Sequence, residues 1–298
     1  MSAEYRDVAI DGPLLITGAS SQIGRCTLQR LDATGAVVYA LGRQRLSFFE
    51  EQFCQFIGSD LTRAHPDFPD EATSLIHIAG IWLLPPHLET LRNNGLRRLV
   101  CFSSTAIYNK TESVNAGERE VARRMIQAEE NIARQCESLG IAWTVLRPTL
   151  VYGLGLDRNV SRAARFIRKF RFYPLATGAA GLRQPVHADD LAAAALAALS
   201  VTKASGKRYD VGGGERLPYR EMISRIFDAL ELPRRNLPLP GLEYAVAAAG
   251  AVLRKPEVTG DVVRRMRLDL ICDNSAAEAD IGYRPRAFLS GGKNDLPG

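Results

Sequence analysis

The chain has 298 residues, 46% of them hydrophobic and 24% charged, with a formal net charge of +5. That composition and length support a large buried core, so one large domain, or a domain with a smaller appended lobe, is expected rather than a disordered or fibrous chain. The mild excess of cations is mostly arginine, which fits a solvated surface or attraction to an anionic partner such as a nucleotide or a lipid head group.

Five cysteines, Cys26, Cys54, Cys101, Cys136 and Cys272, are scattered with no C-x-x-C pair. They read as reduced core thiols, so neither a disulfide frame nor a metal site is expected. The first twenty residues show no basic stretch followed by an apolar core, and the alanine-rich run at 244–253 is too short to span a bilayer. A cytoplasmic protein is expected.

In chain order, the apolar run 14–17 meets Thr17-Gly18, and an amphipathic pattern covers 23–34. This predicts a strand, a tight loop and a helix. Further strands are predicted at 37–41, 75–79, 99–103 and 143–147, with helices at 87–94 and 118–139 between them. Continuous apolar strands alternating with helices predict an α/β fold, a doubly wound parallel sheet covered on both faces. Beyond Gly153 the pattern changes. A basic segment at 157–172, an alanine-rich helix at 189–199, a strand at 209–211 and a helix at 219–230 precede a proline-rich linker at 232–240 and a helix at 260–267. Residues 1–152 are expected to form the nucleotide-binding core. Residues 153–298 are expected to mix late core elements with a smaller substrate-binding lobe.

The loop TGASSQIG suits a phosphate. Glycine lets the backbone approach a ligand, and the following helix aims free N–H groups and its positive dipole end at the loop. Ser21 stands where a middle glycine is usual, and it can donate to a phosphate. After the second strand, Gly42 holds the place of an acid that would bind a ribose 2′-hydroxyl, and Arg43 and Arg45 follow. Arginine there favours a 2′-phosphate, hence NADP(H) over NAD(H).

Several segments together resemble the NAD-dependent epimerase/dehydratase family of extended or atypical short-chain dehydrogenases/reductases. They are the loop TGASSQIG, Gly58-Ser59-Asp60-Leu61, His77-Ile78-Ala79-Gly80, Ser103-Ser104-Thr105-Ala106-Ile107-Tyr108, Leu146-Arg147-Pro148, Val151-Tyr152-Gly153, the run 182–192, Tyr209–Gly214 and Asp273–Ala276. The resemblance implies a Rossmann core and a nucleotide-sugar-like substrate. It implies a cofactor held by Gly18, Ser20, Ser21, Gln22, Ile23, Gly24, Arg43, Asp60, Leu61, Ala79, Gly80, Ser103 and Pro148. Ser104 would be the catalytic hydroxyl and Arg183 a substrate phosphate contact. A homodimer through the helices at 87–94 and 118–139 is plausible by the same analogy.

The family's Y-x-x-x-K pair is missing. Ala122 or a close neighbour falls where tyrosine belongs, and Ile126 or Met125 where lysine belongs. No tyrosine in the chain has a lysine four residues later. Tyr108, Lys110, Arg123 and Arg124 are the nearest substitutes, although Tyr108 reads better as packing. The alternative is a catalytically silent dinucleotide-binding sensor or subunit. Arg158, Arg162, Arg165 and Arg168 share a helical face that could hold a pyrophosphate or touch an anionic membrane. Nucleic-acid binding has no supporting motif. Asp189 and Asp190 are expected to cap the alanine-rich helix.

Overall fold

Leu14, Leu15 and Ile16 have no exposed surface, as a strand covered on both faces requires. The computed structural model describes residues 12–32, 34–45, 54–242, 244, 246 and 261–297. Seven strands make one sheet: β1 (Leu14–Thr17), β2 (Val38–Gly42), β3 (Cys54–Gly58), β4 (Ser74–His77), β5 (Arg98–Phe102), β6 (Ala142–Pro148) and β7 (Lys207–Val211). Their order is β7-β6-β5-β4-β1-β2-β3, and every pairing is parallel. The chain winds outward from β1 to β3, then returns to the other side of β1 with β4. Connections leave β1 and β4 in opposite directions, and this reversal opens a crevice at their carboxyl ends.

The sequence pattern missed β3. It is the edge strand, with Gln55 exposed and Phe56 and Ile57 only half-buried, so it carries no continuous apolar run. The helices labelled here are α1 (Gln22–Leu31), α2 (Leu88–Asn93), α3 (Ala116–Leu139), α4 (Val160–Phe170), α5 (Ala188–Ser200) and α6 (Tyr219–Ala229), and shorter ones include Ala106–Asn109 and Ser275–Ile281. Asn115 caps α3 by accepting from Gly117 and Glu118, and Gly140 ends it in the left-handed region.

The chain forms two compact units. One comprises residues 1–148, 188–211 and 273–284, and the other 149–187, 212–272 and 285–298. The first ends at Pro148 rather than at residue 152, and the chain re-enters it twice. In the first unit, α5 is buried along nearly its whole length, and its alanines let it lie close to α1. α5 begins at Ala188, so Asp189 and Asp190 lie in its first turn, and the Asp189 carboxylate receives Nε and Nη2 of Arg30 in α1 at 2.6 and 2.8 Å.

In the second unit, the expected linker at 232–240 contains a strand, Asn236–Leu239, paired in parallel with Tyr173–Ala176. Such an edge ribbon tolerates Pro238. The helix expected at 260–267 is a short turn, Asp261–Arg264, running into a 3-10 turn, Arg265–Arg267, while Gly260 lies outside the described residues. Apart from Tyr244 and Val246, so does the alanine-rich run at 244–253. No helix among the described residues is long and apolar enough to cross a membrane.

One buried charge organises the outer side of the sheet. Glu129 of α3 is 2% exposed and accepts from Arg147 of β6, with Nε at 3.1 Å and Nη2 at 2.5 Å. Arg208 of β7 approaches the same carboxylate at 3.4 Å. Removing one partner of a buried pair strands the others. Glu129→Ala should therefore lower unfolding free energy by about 3 kcal/mol or more in urea titration, and a loss well below 1 kcal/mol would refute this assignment.

Candidate dinucleotide site

The carboxyl ends of β1 and β4 meet in a close backbone contact. Gly18 has φ +71°, and a Cβ placed there would lie 2.7 Å from the Ala79 nitrogen and 2.9 Å from the Ile78 carbonyl carbon. Only glycine fits both the conformation and the space. Gly24 plays a different part. A Cβ there would meet the Gly18 carbonyl oxygen and Ala19 Cα, each at 2.6 Å, so its absence lets α1 start tight against the loop.

Ser21 is the N-cap of α1, accepting from the Gly24 N–H at 3.1 Å. Its oxygen therefore serves the helix, while its proton remains available to donate. No acidic residue occupies the first turn of α1, so its positive end is uncompensated there. Ser20 is exposed, Ile23 is buried, and the Ser20 carbonyl accepts from Arg25 Nε at 3.2 Å. Gln22 Oε1 is buried with no partner among the described residues. The hydroxyl of Ser103, just beyond β5, is likewise orphaned. Such atoms are costly unless a ligand or water satisfies them. A glycine cradle, a bare helix end and two orphaned polar atoms fit a bound dinucleotide.

His77, named in the sequence only as part of a resembling segment, proves to hold the crevice together. It ends β4, level with Thr17 of β1, and its ring is fully buried. Its Nε2 lies 3.2 Å from the Gly80 carbonyl and its Nδ1 2.8 Å from Thr17 Oγ1. A carbonyl only accepts, so the neutral ring donates from Nε2 and accepts the threonine proton at Nδ1. His77 thus ties the two loops that frame the crevice. The usable signal was a polar pair, Thr17 and His77, closing two apolar strands.

The other expected residues fall along the same edge of the sheet. Gly42 ends β2, and Arg43 beyond it is exposed. The Asp60 carboxyl is held below its usual range by the N–H and hydroxyl of Thr62, at 3.0 and 2.9 Å, with smaller contributions from Arg43 and Arg63. Leu61 is buried, and its carbonyl faces His87 Nε2 at 2.9 Å. Ala79 and Gly80 are half-buried after β4. Pro148 ends β6, and its carbonyl accepts from the Thr105 N–H at 3.0 Å.

Ser104 Oγ accepts from the Ala106 N–H at 3.1 Å, which leaves its proton to donate. Of the substitutes for the missing pair, Tyr108 is pinned. It donates to Asp210 at 3.1 Å and accepts from Arg147 Nη1 at 2.7 Å. Desolvation, with Asp210 beside it, raises its pKa, so it is no readily formed phenolate. Lys110 pairs with Glu118 at 3.2 Å, Arg123 with Glu120 at 2.6 Å, and Arg124 lies over the Trp82 ring at 4.6 Å. Ala122 has no exposed surface, and Met125 and Ile126 pack into the core of the first unit.

In the second unit, Arg183 is 3% exposed, stacks 5.1 Å over Tyr219 and gives its guanidinium to carbonyls. Nη1 donates to Leu182 and Leu268 at 2.9 and 2.7 Å, and Nη2 donates to Arg265. Arg165 and Arg168 of the expected arginine row are also engaged, donating to the carbonyls of Gly155 and Pro297, whereas Arg158 and Arg162 are exposed.

Residues 86–212 match the model of the NAD dependent epimerase/dehydratase family. UDP-glucose 4-epimerase of Vibrio cholerae is 24% identical over 209 residues, which is 67% of this chain and 62% of that protein. NADH dehydrogenase (ubiquinone) 1 alpha subcomplex subunit 9, mitochondrial, of Arabidopsis thaliana is 30% identical over 154 residues, 48% of this chain and 38% of that one. The alignments thus span less than two thirds of either relative. The solved UDP-glucuronic acid 4-epimerase of Bacillus cereus, in complex with UDP-glucuronic acid and NAD, superposes with a TM-score of 0.71 at 17% identity, covering 95% of this chain and 97% of that one. This likeness establishes the shared fold.

Burial holds the His77 pKa down at about 4, below its ordinary 6.5. The unfolded chain binds this proton more readily than the folded one, so stability is full above pH 6.5 and falls as pH drops towards 4. The loss should amount to roughly 3 kcal/mol, and His77→Phe should flatten that part of the stability–pH curve. Parallel curves for the two proteins in urea unfolding at stepped pH would refute the assignment.

Proposed function

We propose that the chain binds a nicotinamide dinucleotide, NADP(H) in preference to NAD(H), and acts with it on a nucleotide-sugar-like small molecule. Epimerisation, dehydration and ketone reduction are the reactions in view. The observation that carries this reading is the close approach of Gly18 to Ile78 and Ala79 at the switch in strand order, facing the bare end of α1. The match of residues 86–212 to the family model and a fold shared with an NAD-bound epimerase support it.

In this reading Gly18, Ser20, Ser21, Gln22, Ile23 and Gly24 receive the pyrophosphate. Asp60 and Leu61 face the adenine, and Arg43 takes the 2′-phosphate. Ala79, Gly80, Ser103 and Pro148 line the path to the nicotinamide, which when bound would supply the hydride donor or acceptor. Ser104 donates its free proton to the reacting oxygen and so steadies developing negative charge there. Proton exchange with solvent then replaces the tyrosine. Arg183 spends three of its N–H groups on carbonyls and would meet a substrate phosphate with those that remain. Homodimerisation through α2 and α3 and a membrane-surface contact at residues 158–171 complete the proposed partners.

A second reading has its own observation. Ala122 is fully buried, so the helix that bears the tyrosine in relatives has turned that position into core. A protein that binds the dinucleotide and senses or scaffolds with it would need no replacement.

Titration with NADPH and NADH, followed by fluorescence, tests the first step. NADPH should bind more tightly, and Arg43→Asp should reverse the preference by about tenfold or more. Unchanged relative affinities would remove Arg43 from the site. With a panel of nucleotide 4-keto sugars added, Ser104→Ala should cut turnover about a hundredfold and leave cofactor affinity intact. Tight cofactor binding with no turnover on the panel would favour the silent reading.

A further inference from the structure

Four cations crowd the start of α3 and the loop before it, and three of them are engaged. Lys110 pairs with Glu118 at 3.2 Å. Arg119 gives Nη1 to the carbonyls of Ser113 and Val114 at 2.6 and 3.0 Å. Arg123 closes Nε and Nη2 on the two oxygens of Glu120 at 2.8 and 2.6 Å. Arg124 is the exception. It is exposed, and it has neither a hydrogen-bond acceptor nor an ion-pair partner among the described residues. It acts on Glu120 only through its charge, since Arg123 already occupies that carboxylate. What holds it is the Trp82 ring, whose centroid lies 4.6 Å from the guanidinium carbon. Attraction to an aromatic face orders a guanidinium without using a hydrogen bond, so its five N–H groups stay available.

Trp82 belongs to the 3-10 turn Ile81–Leu83 that follows β4. It is half-buried, packing on the core of the first unit and on Gly80. A Cβ at Gly80 would lie 2.8 Å from Trp82 Cζ2 and 2.9 Å from Cε2. The indole nitrogen is bonded to Cε2, so its N–H sits at the ring edge that meets Gly80. That N–H also has no acceptor among the described residues. Gly80 is the residue whose carbonyl faces His77 Nε2 at 3.2 Å, and its neighbour Ala79 is the one that Gly18 approaches. The Arg124–Trp82 stack therefore stands at the lip of the crevice between β1 and β4. It offers N–H donors from a guanidinium and an indole, and the Gly80 carbonyl beside them is taken by His77. A lip of donors with a positive charge suits an anion.

We infer that Arg124, held on Trp82, is a specificity-determining residue that binds an oxyanion, carboxylate or phosphate, carried by the substrate near its reacting carbon. A planar guanidinium grips either group through two parallel N–H bonds, and the indole N–H offers a third. The substrate class narrows accordingly, from a nucleotide-sugar-like molecule to one whose reacting sugar bears an acid. Giving the anion to the substrate rests on the dinucleotide reading above. There the pyrophosphate goes to the end of α1 and Gly80 lies on the way to the nicotinamide, so an anion at Trp82 comes with the other reactant. The role also differs from that of the missing lysine. A guanidinium keeps its proton at any working pH, so Arg124 neutralises and orients but moves no proton.

The test uses the full chain carrying Trp143→Phe, which leaves Trp82 as its one tryptophan. Trp82 emission is followed during titration with oxalate at constant ionic strength, before and after saturation with NADP⁺, whose uptake is measured separately by calorimetry. Oxalate should change the emission saturably, chloride alone should not, and the response should persist with NADP⁺ bound. Arg124→Gln should weaken oxalate binding about tenfold or more. Arg134→Gln, which removes the same charge further along α3, should leave it within about twofold. No saturable change at Trp82, or an equal loss in both variants, would overturn the proposal. Disappearance of the oxalate response once NADP⁺ is bound would overturn it too, giving the site to the dinucleotide. Failure to take up NADP⁺ beside an intact, Arg124-dependent oxalate response would sink the cofactor reading and leave the oxyanion site standing. Unchanged circular dichroism in each variant excludes misfolding as the cause.

Discussion

The contact between Gly18 and the Ile78–Ala79 backbone is the constraint around which the first unit is arranged. It can form only where two parallel strands lie side by side while their connections run to opposite sides, and that occurs once, between β1 and β4. Everything near it serves closeness. Gly24 lets α1 begin at once, Ser21 satisfies the first free N–H, and His77 binds Thr17 on one strand and Gly80 beyond the other. The neutral ring is well suited to that bridge. It supplies one donor and one acceptor without bringing a charge into a site shaped for an anion.

This centre was legible in the sequence because its physics is local. A strand, a glycine that must take positive φ and a helix start are adjacent in the chain, and TGASSQIG spells them in order. The central strands were legible for a similar reason, since burial on both faces leaves an unbroken apolar run. The edge strand β3 was not, because an edge strand has half its surface in water and loses that run. The strand within 232–240 was hidden for another reason. Its prolines signal a turn, and only pairing with 173–176, more than fifty residues away, makes it extended structure.

The candidate site divides along the same line. Residues whose role is set by backbone position, such as Gly18 and Gly24, could be assigned from spacing. Residues whose role depends on a distant partner could not. The ion pair that Asp189 makes with Arg30 has no trace in the local sequence around either residue. Arg183 looks like a phosphate ligand until its neighbours turn out to be three carbonyls. Tyr108 looks like a displaced catalytic tyrosine until Arg147 and Asp210 are seen on its hydroxyl. In each case a polar side chain was legible as polar, and its tertiary partner decided whether it was spent on the fold.

The consequence for chemistry lies in α3. A helix that presents tyrosine and lysine to a cofactor must keep one side out of the core. Here Ala122 and Met125 are buried and Ile126 packs with them, while the cations beside them are drawn to Glu120 and the Trp82 ring. A tyrosine placed at 122 would displace core side chains. The groups left at the strand ends are hydroxyls. Ser104 has a proton to donate, and Ser103 has an unsatisfied oxygen. Hydroxyls can steady an oxyanion but titrate far from neutral pH, so any proton that moves here must come from or go to water.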